Sequence, residues 1–265
     1  MSLVEFTKAQ GYLNIILSNE KQRNCLSPKL MNSFKEIVRS QIDSECRFVV
    51  IQARGAHFCA GADLDWMRKQ KESTMLENYN DSHQLQSFFE ALYNIPVPVI
   101  AYVQGGVYGG GVGVVAACDY IIAEAEASFC LSEVKLGLVP AVISPFVINK
   151  IGMSWFTALS LSANVVKTSL AYNVGLIHQV AEDVLLKASL EERSEIIAKP
   201  FLVLSPAAVR ENKKLIRKIS DPQVLNKEIQ FGNRTTITKL RSSAEGLEGM
   251  SALLEKRSPS WAIKV

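Results

Sequence analysis

No stretch of the chain holds the roughly 18 consecutive apolar residues that a bilayer-spanning helix needs. An excess of one charge is also missing, since 29 Lys and Arg stand against 26 Asp and Glu, a formal net charge of +3. So small and dispersed a charge speaks against nucleic acid as a partner, yet leaves room for a local basic rim around an anionic ligand. Cysteine is scarce and unpatterned. Cys25, Cys46, Cys59, Cys118 and Cys130 are odd in number and lack CxxC spacing, so neither a disulfide framework nor a zinc site is expected, and a reducing cytoplasm fits. His57, His83 and His178 are far apart without HxxxH or HExxH spacing, so no metal is expected and His57 reads as structural. The first residues, Met1-Ser-Leu-Val-Glu-Phe-Thr-Lys8, lack the plan of a secretory signal or a transit peptide, which again predicts a cytoplasmic protein. Internal repeats, low-complexity tracts and a GxxxxGK[ST] phosphate loop are missing too.

What remains is an ordinary globular composition, 48% hydrophobic and 21% charged over 265 residues, sufficient for one large α/β domain or one domain with an appendage. Val4–Lys8 and Gly11–Ser18 alternate and are rich in β-branched and aromatic residues, which predicts a hairpin. Ser27-Pro28 is a cap residue followed by proline at the first helical position. Leu30, Met31, Phe34, Ile37 and Val38 form the apolar stripe behind it. Phe48–Ala53, Pro96–Val103 and Asp119–Ala123 read as strands, with a polar helix over roughly 73–94. Strands alternating with helices predict parallel pairing. Strand signals vanish near residue 200, so residues 1–200 are expected to form the core and 201–265 a helical region.

The 15 glycines cluster where two strands end, at Ala60-Gly-Ala-Asp63 and at Gly109-Gly-Gly111. Such loops let a ligand approach backbone. The second opens a helix whose free N–H groups suit a phosphate or a developing oxyanion; tight helix–strand packing is the alternative reading. Gly111-Val-Gly-Val-Val-Ala116 matches a degenerate dinucleotide-binding pattern, but too few residues separate Ala116 from Asp119 for the crossover helix that pattern requires.

His57-Phe-Cys-Ala-Gly-Ala-Asp-Leu64, Gln104-Gly-Gly-Val-Tyr-Gly-Gly-Gly111, Ala117-Cys-Asp119 and Phe129–Pro140 resemble, in order and spacing, the crotonase (enoyl-CoA hydratase/isomerase) superfamily. Gly249–Arg257 is similar to that family's C-terminal signature, and the wording of Ser132–Phe146 is closest to bacterial methylglutaconyl-CoA hydratase-like members. The resemblance implies an α/β fold with a ββα spiral core and a C-terminal helical trimerisation region, hence a homotrimer or dimer of trimers. It also implies acyl-CoA thioester substrates passing through an enolate, no tightly bound cofactor, and coenzyme A present only as part of the substrate. By motif position the thioester oxygen would be held by the backbone N–H groups of Ala62 and Gly110, and Glu133 would be the acid/base; a surface glutamate on a loop is its plain alternative. Lys21, Gln22 and Arg23, the loop residues Ala60, Asp63 and Leu64, and Lys256 would contact coenzyme A. Trp66 would line the acyl pocket or pack in the core. Two-glutamate hydratases carry a second Glu where this chain has Gly113, and that glycine is expected to leave space for a branched acyl group. The resemblance implies hydration of a short or branched 2-enoyl-CoA, with a Δ3-Δ2 enoyl-CoA isomerase, decarboxylase or dehydratase as the alternative within the family. A non-catalytic RNA-binding or scaffold paralogue is the alternative outside it. Asp119 is expected to cap or pair, and Cys59 and Cys130 to pack as small apolar residues.

Overall fold

The computed structural model describes residues 2–9, 11–219, 232, 234–235, 237–239 and 241–259. The expected helical region 201–265 therefore lies partly outside the described residues.

The chain opens on the antiparallel pair β1 (Val4–Ala9) and β2 (Tyr12–Leu17), with Gly11 at φ 84 between them. β2 continues in parallel to β3 (Phe48–Ala53), β4 (Val99–Val103), β6 (Tyr120–Ala123) and β9 (Gln179–Val180), giving a sheet ordered β1-β2-β3-β4-β6-β9. The continuous apolar runs in β2, β3 and β4 are explained by burial on both faces. Leu13, Ile15, Val49, Ile51, Val99 and Ala101 join one core, while Tyr12, Phe48, Val50, Ile100 and Tyr102 join the other.

The first core is covered by α1 (Pro28–Gln41), α3 (Met75–Tyr93), α4 (Gly110–Ala117) and α5 (Ser144–Ser162). Ser27 Oγ accepts the Leu30 N–H to start α1, and Thr74 and Glu77 form a reciprocal capping box at the start of α3. The second core is covered by α7 (Asp183–Lys187) and α8 (Leu190–Leu202), through Leu185, Ile197 and Phe201. The short α6 (Thr168–Asn173) leads into β9.

Several elements around the glycine loops carry no signal of their own in the sequence. α2 (Leu64–Glu72) follows the first glycine loop directly, over residues to which the sequence assigned no element. β5 (Gly106–Tyr108) lies inside the second glycine cluster and pairs in parallel with β7 (Ser128–Cys130); with β8 (Val166–Lys167) they make a second, three-stranded sheet. Towards the C-terminus, α9 (Pro206–Ile219) returns to Asp119 through Lys213 and Arg217. α10 (Ala244–Leu254) packs on α2 and on the 3-10 turn Glu133–Leu136. That last contact is so close that a Cβ on Gly249 would sit 2.2 Å from the Leu136 carbonyl oxygen, so only glycine fits.

Candidate active site

The two sheets meet where β3 ends. Tyr108 N–H donates to Cys59 O at 3.0 Å and Cys59 N–H to Gly106 O at 3.3 Å, which lays the loop after β3 alongside β5. The segment before α1 closes on the same loop: Ala60 N–H donates to Arg23 O (3.0 Å), Leu26 N–H to Gly61 O (2.8 Å) and Asp63 N–H to Leu26 O (3.1 Å). Gly61 adopts φ 95, and a Cβ there would press on Tyr108 O at 3.1 Å, so both its conformation and its neighbour demand glycine. These bonds use the Gly61 carbonyl and the Asp63 N–H on either side of Ala62 but leave the Ala62 N–H without an acceptor among the described residues.

The second glycine cluster turns from β5 into α4. Gly109, the N-cap, holds φ 49 and ψ −120, and its N–H donates to Cys130 O at 2.9 Å. Gly110 is the first residue of α4, so its N–H has no partner within the helix, and none is found among the described residues. Ala62 and Gly110 thus offer two free backbone donors from loops bonded to each other, the second backed by the positive end of a helix dipole.

Glu133 begins the 3-10 turn that follows β7, and its side chain turns back onto this helix start. A Cβ on Gly109 would meet Glu133 Oε1 at 3.3 Å and Ser132 Oγ at 3.4 Å. Oε2 is sealed from solvent with no hydrogen-bond partner. Removal from water penalises the carboxylate and pushes the Glu133 pKa up to about 7, against a smaller lowering by a backbone hydrogen bond. The structure therefore brings together the three residues assigned to chemistry: two backbone donors and one carboxyl able to hold or release a proton near neutral pH.

The expectation at Gly113 is corrected. A Cβ on Gly113 would lie 2.3 Å from Ile143 Cγ2 and 3.0 Å from Phe89 Cε1. The position is filled by packing from α3 and from the start of α5, so it leaves no space for an acyl branch and none for a second carboxylate. Trp66 is buried in the main core, its indole N–H donating to Asp81 Oδ2 at 2.8 Å. Asp63 spends its carboxylate on the N-terminus of α2, accepting the Trp66 N–H at 2.8 Å. Leu64, the first residue of α2, is exposed beside the loop. Lys21, Gln22 and Arg23 are exposed on the segment that closes over Ala60, Arg23 at φ 51. Lys256 is exposed just beyond α10, and no hydrogen bond or ion pair joins it to Lys21–Arg23 among the described residues.

Sequence reasoning missed the side chains that hold the first loop. Asn24 Nδ2 donates to Arg54 O (2.9 Å) and His57 O (2.8 Å), and Gln104 Nε2 donates to Ala53 O (2.7 Å) and Gly55 O (3.1 Å). His57 Nδ1 accepts the Gly106 N–H at 3.0 Å, a structural bond. Asn24 stands at φ 55, a left-handed conformation that Asn adopts more readily than most residues. Cys59 is fully buried, its thiol pushed up to about 12 by burial, as suits a packing residue.

The sequence profile of the enoyl-CoA hydratase/isomerase family matches residues 7–264. The human enoyl-CoA hydratase domain-containing protein 3, mitochondrial, is 31% identical over 263 residues, covering 95% of this chain and 81% of its own length. The crystal structure of an enoyl-CoA hydratase from Shewanella pealeana is 32% identical with a TM-score of 0.74, over 98% of this chain and 96% of that one. That of an enoyl-CoA hydratase from Mycobacterium avium is 27% identical with a TM-score of 0.84, over 99% and 100% of the two chains. The protein is an α/β enzyme of the crotonase fold and belongs to the enoyl-CoA hydratase/isomerase family.

Proposed function

We propose that the protein hydrates a short or branched 2-enoyl-CoA, of the methylglutaconyl-CoA kind, through a thioester enolate. The observation that carries this reading is the Glu133 carboxyl, turned onto the helix start at Gly109 with its Oε2 sealed from solvent and its pKa pushed up to about 7 by burial. The thioester oxygen would accept from the Ala62 and Gly110 N–H groups. Glu133, ionised, takes a proton from water as the water oxygen bonds to the β-carbon of the acyl chain. The double-bond electron pair moves towards the thioester, and the developing oxyanion is stabilised by two donors that need no reorganisation. Glu133 then returns its proton to the α-carbon, which restores the carboxylate and completes the addition of water. One carboxyl serves in turn as base and acid, and a pKa near 7 suits both duties.

Because Gly113 is filled by Ile143, no second carboxylate on α4 shares this work, and that observation favours Δ3-Δ2 isomerisation as the second reading. Incubation with 2-enoyl-CoA and 3-enoyl-CoA in ¹⁸O-water separates the two. Label in a 3-hydroxyacyl product supports hydration; double-bond migration without label uptake on any substrate sinks it in favour of the isomerase.

Coenzyme A enters as the substrate's thioester. Exposed Lys21 and Arg23, with Gln22 between them, suit its phosphates at the mouth of the loop, and Lys256 would add a further cation. Five free cysteines, four of them buried, support a reducing cytoplasm. A homotrimer or dimer of trimers is supported by Met153, Trp155 and Leu161, exposed on the second half of α5 beyond its break at Gly152. Trp155→Asp should lower the mass seen by light scattering to that of a single chain; an unchanged mass would place any interface elsewhere.

A further inference from the structure

Ser132 immediately precedes Glu133 and is the N-cap of the 3-10 turn Glu133–Leu136, yet its hydroxyl does not do the work of a cap. It stands at φ −87 and ψ −2, in the helical region rather than the extended one from which a capping serine accepts a turn N–H, and its side chain makes no such bond. No other hydrogen bond engages Oγ among the described residues. Ser132 is half-buried, but its Oγ stays open to solvent, whereas the neighbouring Glu133 Oε2 is sealed. Such a hydroxyl keeps its full capacity to donate and to accept for a ligand.

Main-chain bonds on both sides fix its place. Gly109 N–H donates to Cys130 O at 2.9 Å, Lys135 N–H to Ser132 O at 3.1 Å and Leu138 N–H to Glu133 O at 3.0 Å. These bonds hold Ser132 and Glu133 against the start of α4. Apart from the chain neighbours of Gly109, the three heavy atoms nearest to a Cβ placed on that residue are Glu133 Oε1 at 3.3 Å, Ser132 Oγ at 3.4 Å and Glu133 Cδ at 3.7 Å. The hydroxyl and the carboxyl therefore face the same side of Gly109, the residue before the donor Gly110. Glycine at 109 keeps that side clear, and its φ of 49 disfavours any other residue there.

Water addition makes a demand that one carboxylate does not meet. Glu133 can take one hydrogen of the water, but a water held by that single contact still turns about it, and its lone pair is not aimed at the β-carbon. Ile143 and Phe89, packed around Gly113, deny α4 a second carboxylate for this purpose. We propose that Ser132 Oγ supplies the missing contact, accepting the second O–H of the attacking water, so that Ser132 and Glu133 together aim its oxygen at the β-carbon. This rests on the hydration reading above. As the carbon–oxygen bond forms, the double-bond pair moves towards the thioester and one water proton passes to the Glu133 carboxylate. The other hydrogen stays on oxygen as the product hydroxyl, still donating to Ser132. Proton exchange at the α-carbon needs only Glu133 and the two backbone donors, so the serine acts in one half of the reaction alone.

Two rates on the same preparation test this. One is hydration of crotonyl-CoA or 3-methylglutaconyl-CoA, whichever is turned over faster. The other is exchange of the α-protons of butyryl-CoA, which cannot take up water, in deuterium oxide. Ser132→Ala should lower the hydration kcat by about 10- to 100-fold, with KM and the exchange rate within about 3-fold of wild type. Ser132→Thr keeps the hydroxyl and should retain most of the rate, while Ser132→Cys, a weaker acceptor of similar shape, should fall between. Undiminished hydration by Ser132→Ala overturns the proposal. A loss of exchange as large as the loss of hydration does so too, because the serine would then only support the Glu133 turn. If Ser132→Ala does not fold, Ser132→Thr and Ser132→Cys carry the same comparison. A wild type that exchanges α-protons but adds no water sinks the hydration reading and this proposal with it, an outcome distinct from hydration that is indifferent to Ser132.

Discussion

At Glu133 the cause of the raised pKa is removal from water rather than a neighbouring negative charge, and this fixes the sign of two pH effects. Hydration begins with the carboxylate as base, so kcat/KM should rise with pH through about 7 and level off above it. Glu133→Gln keeps the shape and removes the titrating group. It should lower kcat by about 10²–10⁴-fold and abolish the rising limb, with little change in KM. The stability effect runs the other way. The folded-state pKa lies above the ordinary 4.5, so the group's stabilising contribution is complete below 4.5 and is lost as pH rises through about 7. The unfolding free energy of Glu133→Gln relative to wild type should therefore grow between pH 4 and pH 8, by about 3 kcal/mol. Urea titrations at the two pH values check this, and a pH-independent difference would mean that the carboxyl is solvated in the folded protein.

Among the elements, α4 ties chemistry to packing. Its first turn exposes backbone donors at Gly110, while one turn later Gly113 is pressed against Ile143 and Phe89. Gly113→Ala should therefore overpack the core and cost about 1–3 kcal/mol, and Ile143→Ala in the same chain should recover most of that loss. Gly113→Glu should lose stability without gaining hydration rate. Asn24→Ala removes two bonds that anchor the loop carrying Ala62, so both stability, by about 1–3 kcal/mol, and kcat should fall. The sequence displayed the elements whose own residues announce them: the Ser27-Pro28 start, the doubly buried runs of β3 and β4, and the glycines that open α4. It concealed β5 and β7, three residues each, because so short a strand has no period to read. It concealed α2 because Leu64–Glu72 is largely charged and polar and follows a glycine loop. Gly113 was misread because a missing side chain says nothing of what fills its place. Asn24 and Gln104 were illegible because their partners are brought to them by tertiary structure.

Across the whole molecule, one carboxylate joins parts of the chain far apart in sequence. Asp119 Oδ2 accepts the Val99 N–H at 2.8 Å at the start of β4 and also receives Lys213 from α9, while Oδ1 accepts from Arg217 Nη2 at 2.8 Å. Lys213 is buried and donates further to Val97 O at 2.7 Å, and the Arg217 guanidinium lies 3.4 Å over the Tyr93 ring of α3. Lys150 adds a third cation, donating to the Asp119 carbonyl at 3.3 Å. Lys213 and Arg217 share this single carboxylate, with Lys150 beside it on the main-chain oxygen, so the two ends of the network are not equivalent. Asp119→Ala orphans buried positive charge and should cost about 3–5 kcal/mol. Lys213→Met keeps the aliphatic volume and leaves Asp119 its bonds to Arg217 and Val99, so it should cost only about 1–2 kcal/mol. The double variant Asp119→Asn, Lys213→Met should be more stable than Asp119→Ala alone, because the uncompensated lysine is gone. Urea unfolding midpoints with unchanged slopes would establish that order. Equal losses for Asp119→Ala and Lys213→Met would instead mean that the lysine's packing, not the shared carboxylate, holds α9 to the sheet. Since this network lies where β4 and β6 begin and Ala62 and Glu133 lie beyond the ends of strands β3 and β7, each of these variants should leave KM for acyl-CoA unchanged wherever the protein remains folded.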